Sequence, residues 1–139
     1  MARVPANEVS YAEDGFYYRD RELFTGVTFT VYPTGEARSE VEYRDGHRWG
    51  PSKDWYKTGQ LAEEWNFRQG GAHGMQREFE KDGTLLSEEA CEHGIILWRR
   101  ELQAGEMVET YRLSEEEHNH ALLLKFRKLF SLDPDVGAE

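Results

Sequence analysis

The sequence predicts a mainly β protein, an array of antiparallel hairpins followed by one C-terminal α-helix. Three observations predict it. Glycines recur at a fixed step of 24 residues in three separate series: Gly26, Gly50 and Gly74; Gly35, Gly59 and Gly83; Gly46, Gly70 and Gly94. The segments between them alternate with the period of two that a half-buried strand requires. The last apolar residues, Leu122, Leu123, Phe126, Leu129 and Phe130, recur instead at helical spacing.

Self-similarity at one period marks a repeat, and it is read before any local pattern. The units span 26–49, 50–73 and 74–97. Each holds two strands. The first turns are Pro33-Thr34-Gly35, Lys57-Thr58-Gly59 and Lys81-Asp82-Gly83, where glycine supplies the positive φ of a bulged hairpin. The second turns, around Asp45-Gly46, Gly70-Gly71 and His93-Gly94, lead into the next unit.

Alternation assigns faces. Leu61, Glu63, Trp65 and Phe67 share one, with Ala62, Glu64, Asn66 and Arg68 on the other. Ala37, Ser39, Val41 and Tyr43 correspond to the first set in unit one, and Leu85, Ser87, Glu89 and Cys91 in unit three. In the first strands Phe29 and Val31, Lys53 and Trp55, and Arg77 and Phe79 line up in the same way. This predicts an apolar ladder with Val31, Trp55 and Phe79 in one column and Tyr43, Phe67 and Cys91 in another.

Both ends are worn. Trp98 replaces the opening glycine of a fourth unit, whose turn Ala104-Gly105-Glu106 arrives two residues early. Met107, Tyr111 and Leu113 still alternate. Upstream, Val9 to Tyr11 and Phe16 to Tyr18 flank Asp14-Gly15 as an opening hairpin. The organisation expected is a hairpin array over 1–113, a helix over 114–131 and a loose tail over 132–139. Ser114-Glu115-Glu116-Glu117 reads as a capping box, and Lys125, Arg127 and Lys128 near the far end suit the helix dipole. The helix is expected to cover the open edge of the last strand. The alternative is that its apolar face docks a partner or a second copy as a homodimer.

Composition narrows function. The 139 residues carry a formal charge of −10, with 38% hydrophobic and 13% aromatic residues. So many aromatics oppose disorder and suggest a thin fold whose large side chains cover a sheet face. An acidic surface repels nucleic acid and anionic membrane and favours a basic partner. Cys91 is the lone cysteine, which excludes an intrachain disulfide. The N-terminal residues Met1 to Pro5 lead into no apolar signal segment, and no run is long enough to cross a bilayer, so the cytoplasm is the expected location.

Tyr18-Arg19-Asp20 through Leu23-Phe24-Thr25-Gly26, Tyr32-Pro33-Thr34-Gly35, Tyr43-Arg44-Asp45-Gly46, Trp55-Tyr56-Lys57-Thr58-Gly59-Gln60-Leu61 and Asp82-Gly83-Thr84-Leu85 together resemble MORN repeats of a bacterial variant. The resemblance covers about residues 16 to 113. Trp98 for glycine, Glu80 where Tyr32 and Tyr56 stand, and Cys91 in an aromatic column depart from it. It implies a curved, single-layer antiparallel sheet of successive hairpins. Bacterial proteins of this variant include antitoxins and immunity proteins that accompany secreted toxins, and others are interaction scaffolds.

The chemistry-bearing residues point the same way. His47, His73 and His93 sit in turns at different offsets, and His118 and His120 are two apart on a helix, so no metal site is expected. No nucleophile–base constellation, phosphate-cradling loop or cofactor motif is present, and the chain is read as non-enzymatic, without catalytic residues. Glu40, Glu42, Asp54, Glu64, Glu78, Glu80, Glu88 and Glu92 populate the polar face. The partner-binding residues expected are Glu40, Glu42, Asp54, Glu64, Glu78 and Glu80 as an acidic stripe, with Tyr32, Trp49, Tyr56 and Trp65 as aromatic anchors. A basic protein, such as a toxin with a cationic groove, fits that stripe. The alternative function is a scaffold that joins proteins or associates with a membrane, which the net charge opposes.

Overall fold

A computed structural model describes residues 1–131. The strands are β1 (Ala2–Pro5), β2 (Ser10–Tyr11), β3 (Tyr17–Arg19), β4 (Glu22–Leu23), β5 (Gly26–Val31), β6 (Ala37–Arg44), β7 (His47–Trp55) and β8 (Leu61–Arg68). They continue as β9 (Gly71–Ala72), β10 (Gly74–Phe79), β11 (Leu85–Glu92), β12 (Ile95–Gln103) and β13 (Glu106–Arg112), and one helix follows, α1 (His118–Phe130). The main sheet is ordered β1-β5-β6-β7-β8-β10-β11-β12-β13, with β9 beside β8. All its pairings are antiparallel except β1 with β5. The mainly β hairpin array with a C-terminal helix is therefore as expected.

The turns explain the repeat. In each first turn the glycine N–H bonds the carbonyl three residues back, as Gly35 to Tyr32, Gly59 to Tyr56 and Gly83 to Glu80. The second turns carry positive φ at both central residues, Asp45-Gly46, Gln69-Gly70 and His93-Gly94. That geometry twists with the strands it joins. Unit two thus turns at Gln69-Gly70, one residue before Gly70-Gly71, because Gly71 opens β9.

Two hydrogen-bond series stitch unit to unit. Gly46, Gly70 and Gly94 each donate N–H to the carbonyl 22 residues earlier, of Phe24, Arg48 and Ala72, at 2.8–2.9 Å. At the opposite end Tyr32 Oη donates to Trp55 O at 2.5 Å and Tyr56 Oη to Phe79 O at 2.7 Å. Glu80 ends this second series.

The core is thin. Val4, Phe24 and Tyr43 form its largest buried cluster, joined by Val9, Tyr17 and Val41. Tyr43 and Cys91 are buried as expected, whereas Val31 is 50% exposed, so the Val31–Trp55–Phe79 column is no core. The opening hairpin forms, but β2, β3 and β4 make a separate small sheet that packs on Tyr43. Strand β1 lies parallel to β5, tight against Gly26, where a Cβ would meet Ala2 O at 2.5 Å.

The C-terminal segment differs from expectation twice. Helix α1 begins at His118, although the Glu117 carboxylate accepts the Ser114 N–H (3.2 Å) as a capping box requires; its other oxygen takes the Tyr111 hydroxyl (2.7 Å). Residues Ser114 to Glu117 close a turn instead of a helical one. The helix docks on the second-turn end of the sheet. Phe130 stacks on His93 at 4.7 Å, Arg127 pairs with Glu92 at 2.6 Å, and Leu123 is 2% exposed. The outer edge of β13 has no pairing strand among the described residues. The expected loose tail lies outside the described residues.

Candidate functional site

Strand register divides the charged residues between two faces, and this overturns the single acidic stripe. On the first face, cross-strand pairing runs Glu40–Lys53–Glu64–Arg77–Glu88–Arg100–Glu109. Signs alternate at every strand. Glu64 lies 3.9 Å from Lys53 and 3.8 Å from Arg77; Glu88 lies 3.3 Å from Arg77 and 3.7 Å from Arg100. Arg3 closes one end on Glu40 at 2.7 Å, and Arg112 the other on Glu109 at 2.5 Å. Lys53 and Arg77, read as members of the apolar ladder, belong to this face instead. β-bulges between Asp54 and Trp55 and between Glu78 and Phe79 break the simple alternation there.

On the second face, pairing runs Ser39–Asp54–Glu63–Glu78–Ser87–Glu101. Three carboxylates, Asp54, Glu63 and Glu78, stand on neighbouring strands, half-buried, and none of them makes an ion pair among the described residues. Burial and the Glu63 charge push the Asp54 carboxyl above its ordinary range, with exposed Arg38 opposing weakly. Glu63 accepts from the Trp65 indole at 3.2 Å. Trp65, Gln76, Glu78 and Ser87 line a shallow depression together with Arg77, Glu89 and Arg99, and its free volume, about 10 Å³, holds one water molecule at most.

The ten expected binding residues scatter accordingly. Glu40 and Glu64 are neutralised in the charge ladder. Glu42 faces Val27 on the ladder face and leans over Gly50, where a Cβ would meet its carboxylate at 3.2 Å. Trp49 lies between the guanidinium groups of Arg44 and Arg68, at 4.7 and 5.8 Å. Tyr32 and Tyr56 spend their hydroxyls on the next unit's backbone, and Glu80 is exposed beside a turn. The structure brings together Asp54, Trp65 and Glu78 alone. It adds Glu63 and Ser87, which sequence reading placed in the apolar set. The signal was there: Ser39, Glu63 and Ser87 recur at the repeat period as a polar column within that set.

Other chemistry is muted. Burial and Glu89 push the Cys91 thiol up to about 12, which leaves it protonated and unreactive. No group of three metal-ligating side chains converges among the described residues, and no described helix is long and apolar enough to cross a membrane. His73 accepts the His93 N–H at 3.1 Å, so these histidines serve the turn and helix packing. Compared with known proteins, the chain finds no match among family models, curated sequences or solved structures.

Proposed function

We propose that this chain is a non-catalytic binding module of the MORN-repeat type that captures a basic protein, and that this partner is a toxin which it neutralises. The repeat signature supports the family reading, and through it the antitoxin or immunity role. One structural observation carries the preference for a basic partner: the unpaired row Asp54–Glu63–Glu78 around Trp65. Like charges set directly opposite on adjacent strands weaken a sheet. A fold that alternates charge on one face and leaves three carboxylates together on the other keeps a surface whose counter-charge comes from outside.

The test is co-expression with the product of the neighbouring gene. The reading expects that product to be harmful alone, harmless with this chain, and retained on it in a complex that weakens as salt rises. A harmless neighbour, or one not retained, removes the toxin reading.

A further inference from the structure

Helix α1 meets the sheet at two histidines, and their geometry depends on protonation. His73, between β9 and β10, accepts the backbone N–H of His93 on Nδ1 at 3.1 Å. An imidazole nitrogen accepts only while it carries no proton, and an imidazolium has two donors and no acceptor. The bond therefore assigns His73 to the Nε2–H tautomer and is lost when that ring is protonated. The two imidazoles also meet edge to face, with centroids 4.8 Å apart. His93 in turn carries the helix: it stacks on Phe130 at 4.7 Å with the planes 11° apart, and Phe126 stands at 6.1 Å.

The charges around this seam are mostly positive. Facing His93 are His73, Arg68 of β8 and Arg127 of α1, with Glu92 of β11 as the anion among the described residues. Arg127 already engages Glu92 at 2.6 Å. Burial, and next His73, hold the His93 imidazole below its ordinary value of 6.5; Glu92 opposes this, and Arg68 and Arg127 add to it. The docked helix thus prefers a neutral ring. That preference is fully present above pH 6.5 and is lost as pH falls from there through the lowered value.

We propose that His73 and His93 form a proton-operated latch that holds α1 on the sheet at neutral pH and releases it in mild acid. Protonation of His73 removes the acceptor of the His93 N–H and sets a cation against the second ring. The Phe130 face softens a charge on His93 but does nothing for the lost acceptor. Release frees Phe126 and Phe130 from the groove of about 140 Å³ that they line with Arg68, Gln69, Gly71 and His93. The latch is independent of the basic-partner reading, which concerns a different part of the sheet.

NMR on the intact protein tests it. Imidazole ¹⁵N shifts should show His73 Nδ1 unprotonated at pH 7.5 and both its nitrogens protonated at pH 5.0. Over the same range the amides of Leu122 to Phe130 should lose at least tenfold in hydrogen-exchange protection, after correction for the intrinsic rate, while those of β6 and β7 change less than twofold. His73→Asn keeps a side-chain acceptor without the charge, and should cut the loss on the helix to less than threefold. H118N/H120N, which removes the imidazoles of the helix itself, should lose protection as wild type does. A proton on His73 Nδ1 at pH 7.5, or a helix equally protected at both pH values, overturns the latch, and neither result needs a variant. A tenfold loss retained in His73→Asn, or abolished in H118N/H120N, overturns it as well by placing the acid-sensitive group elsewhere.

Discussion

The two faces of one sheet handle charge in opposite ways. On the first, Glu40, Glu64 and Glu88 on the second strand of each unit oppose Lys53, Arg77 and Arg100 on the first strand of the next, so every carboxylate lies between cations. On the second, Asp54, Glu63 and Glu78 face one another without an ion pair among the described residues. Both patterns arise from the same 24-residue step. A one-residue change of phase along a strand moves a side chain from one face to the other. The ladder therefore reads as part of what holds a thin, weakly cored sheet together, and the row as a surface held ready at some cost to the fold. Mutations that exchange these roles test the contrast.

The largest effect is expected on the ladder. Glu64→Lys removes two partners and places three cations in line, Lys53, Lys at 64 and Arg77. Each cross-strand pair or repulsion contributes under 1 kcal/mol at partly exposed positions, so the sum is a loss of about 2 kcal/mol. Urea denaturation measures it, and a loss below about 0.5 kcal/mol would show that the ladder carries no stability.

Next comes the tie between units. Tyr56→Phe removes the hydroxyl that reaches Phe79 O and strands that carbonyl, at a cost of about 1 kcal/mol. Because Tyr56 is engaged inside the repeat, partner binding should be unchanged in this variant once both proteins are folded. A binding loss without a stability loss would return Tyr56 to the interface and blur the division between structural and binding residues.

Glu78→Gln should act in the other direction. It removes a carboxylate opposite Glu63 that makes no ion pair among the described residues, so stability should rise by about 0.5 kcal/mol. Added salt should shrink that gain by screening the repulsion already present in wild type. A destabilised Glu78→Gln would mean that the carboxylate serves the fold, and the contrast between faces would fail.

Much of this plan was legible in the sequence because glycine leaves a sharp mark. The positive φ at Gly35, Gly59 and Gly83, and at Gly46, Gly70 and Gly94, is a local demand that few other residues meet. The strands and their order followed from those turns. The faces were less legible, because the bulges beside Trp55 and Phe79 have no side-chain signature, yet each reverses the alternation beyond it. The parallel β1 was invisible: four residues, Ala2 to Pro5, find their partner only once Gly26 and Val27 are in place. The capping box is half made: Glu117 accepts the Ser114 N–H on one oxygen, but its other oxygen takes the Tyr111 hydroxyl and the helix starts only at His118, a contact between a strand and a turn that spacing alone does not encode. Of the candidate site, Asp54, Trp65 and Glu78 were legible as acidic and aromatic side chains at repeat positions. Glu63 and Ser87 were passed over because their neighbours Leu61, Phe67 and Leu85 made the column look apolar.

The smallest effect is the most specific to the row. Asp54 titrates above the ordinary value of 3.8, chiefly from burial and next from Glu63. Between 3.8 and that raised value the folded state binds more protons than the unfolded state, so stability falls as pH rises through the window. The penalty is complete above the folded pKa and absent below 3.8. Asp54→Asn removes the titration. At neutral pH the variant should be the more stable by a few tenths of a kcal/mol, after discounting for partial exposure. That advantage should vanish as pH is lowered toward 3.8. Denaturation midpoints of the two proteins at pH 7 and pH 4 give the comparison. An advantage that grows on acidification would mean that Asp54 is held by a cation within the fold, as Glu64 is on the opposite face. The two faces would then differ in arrangement but not in kind.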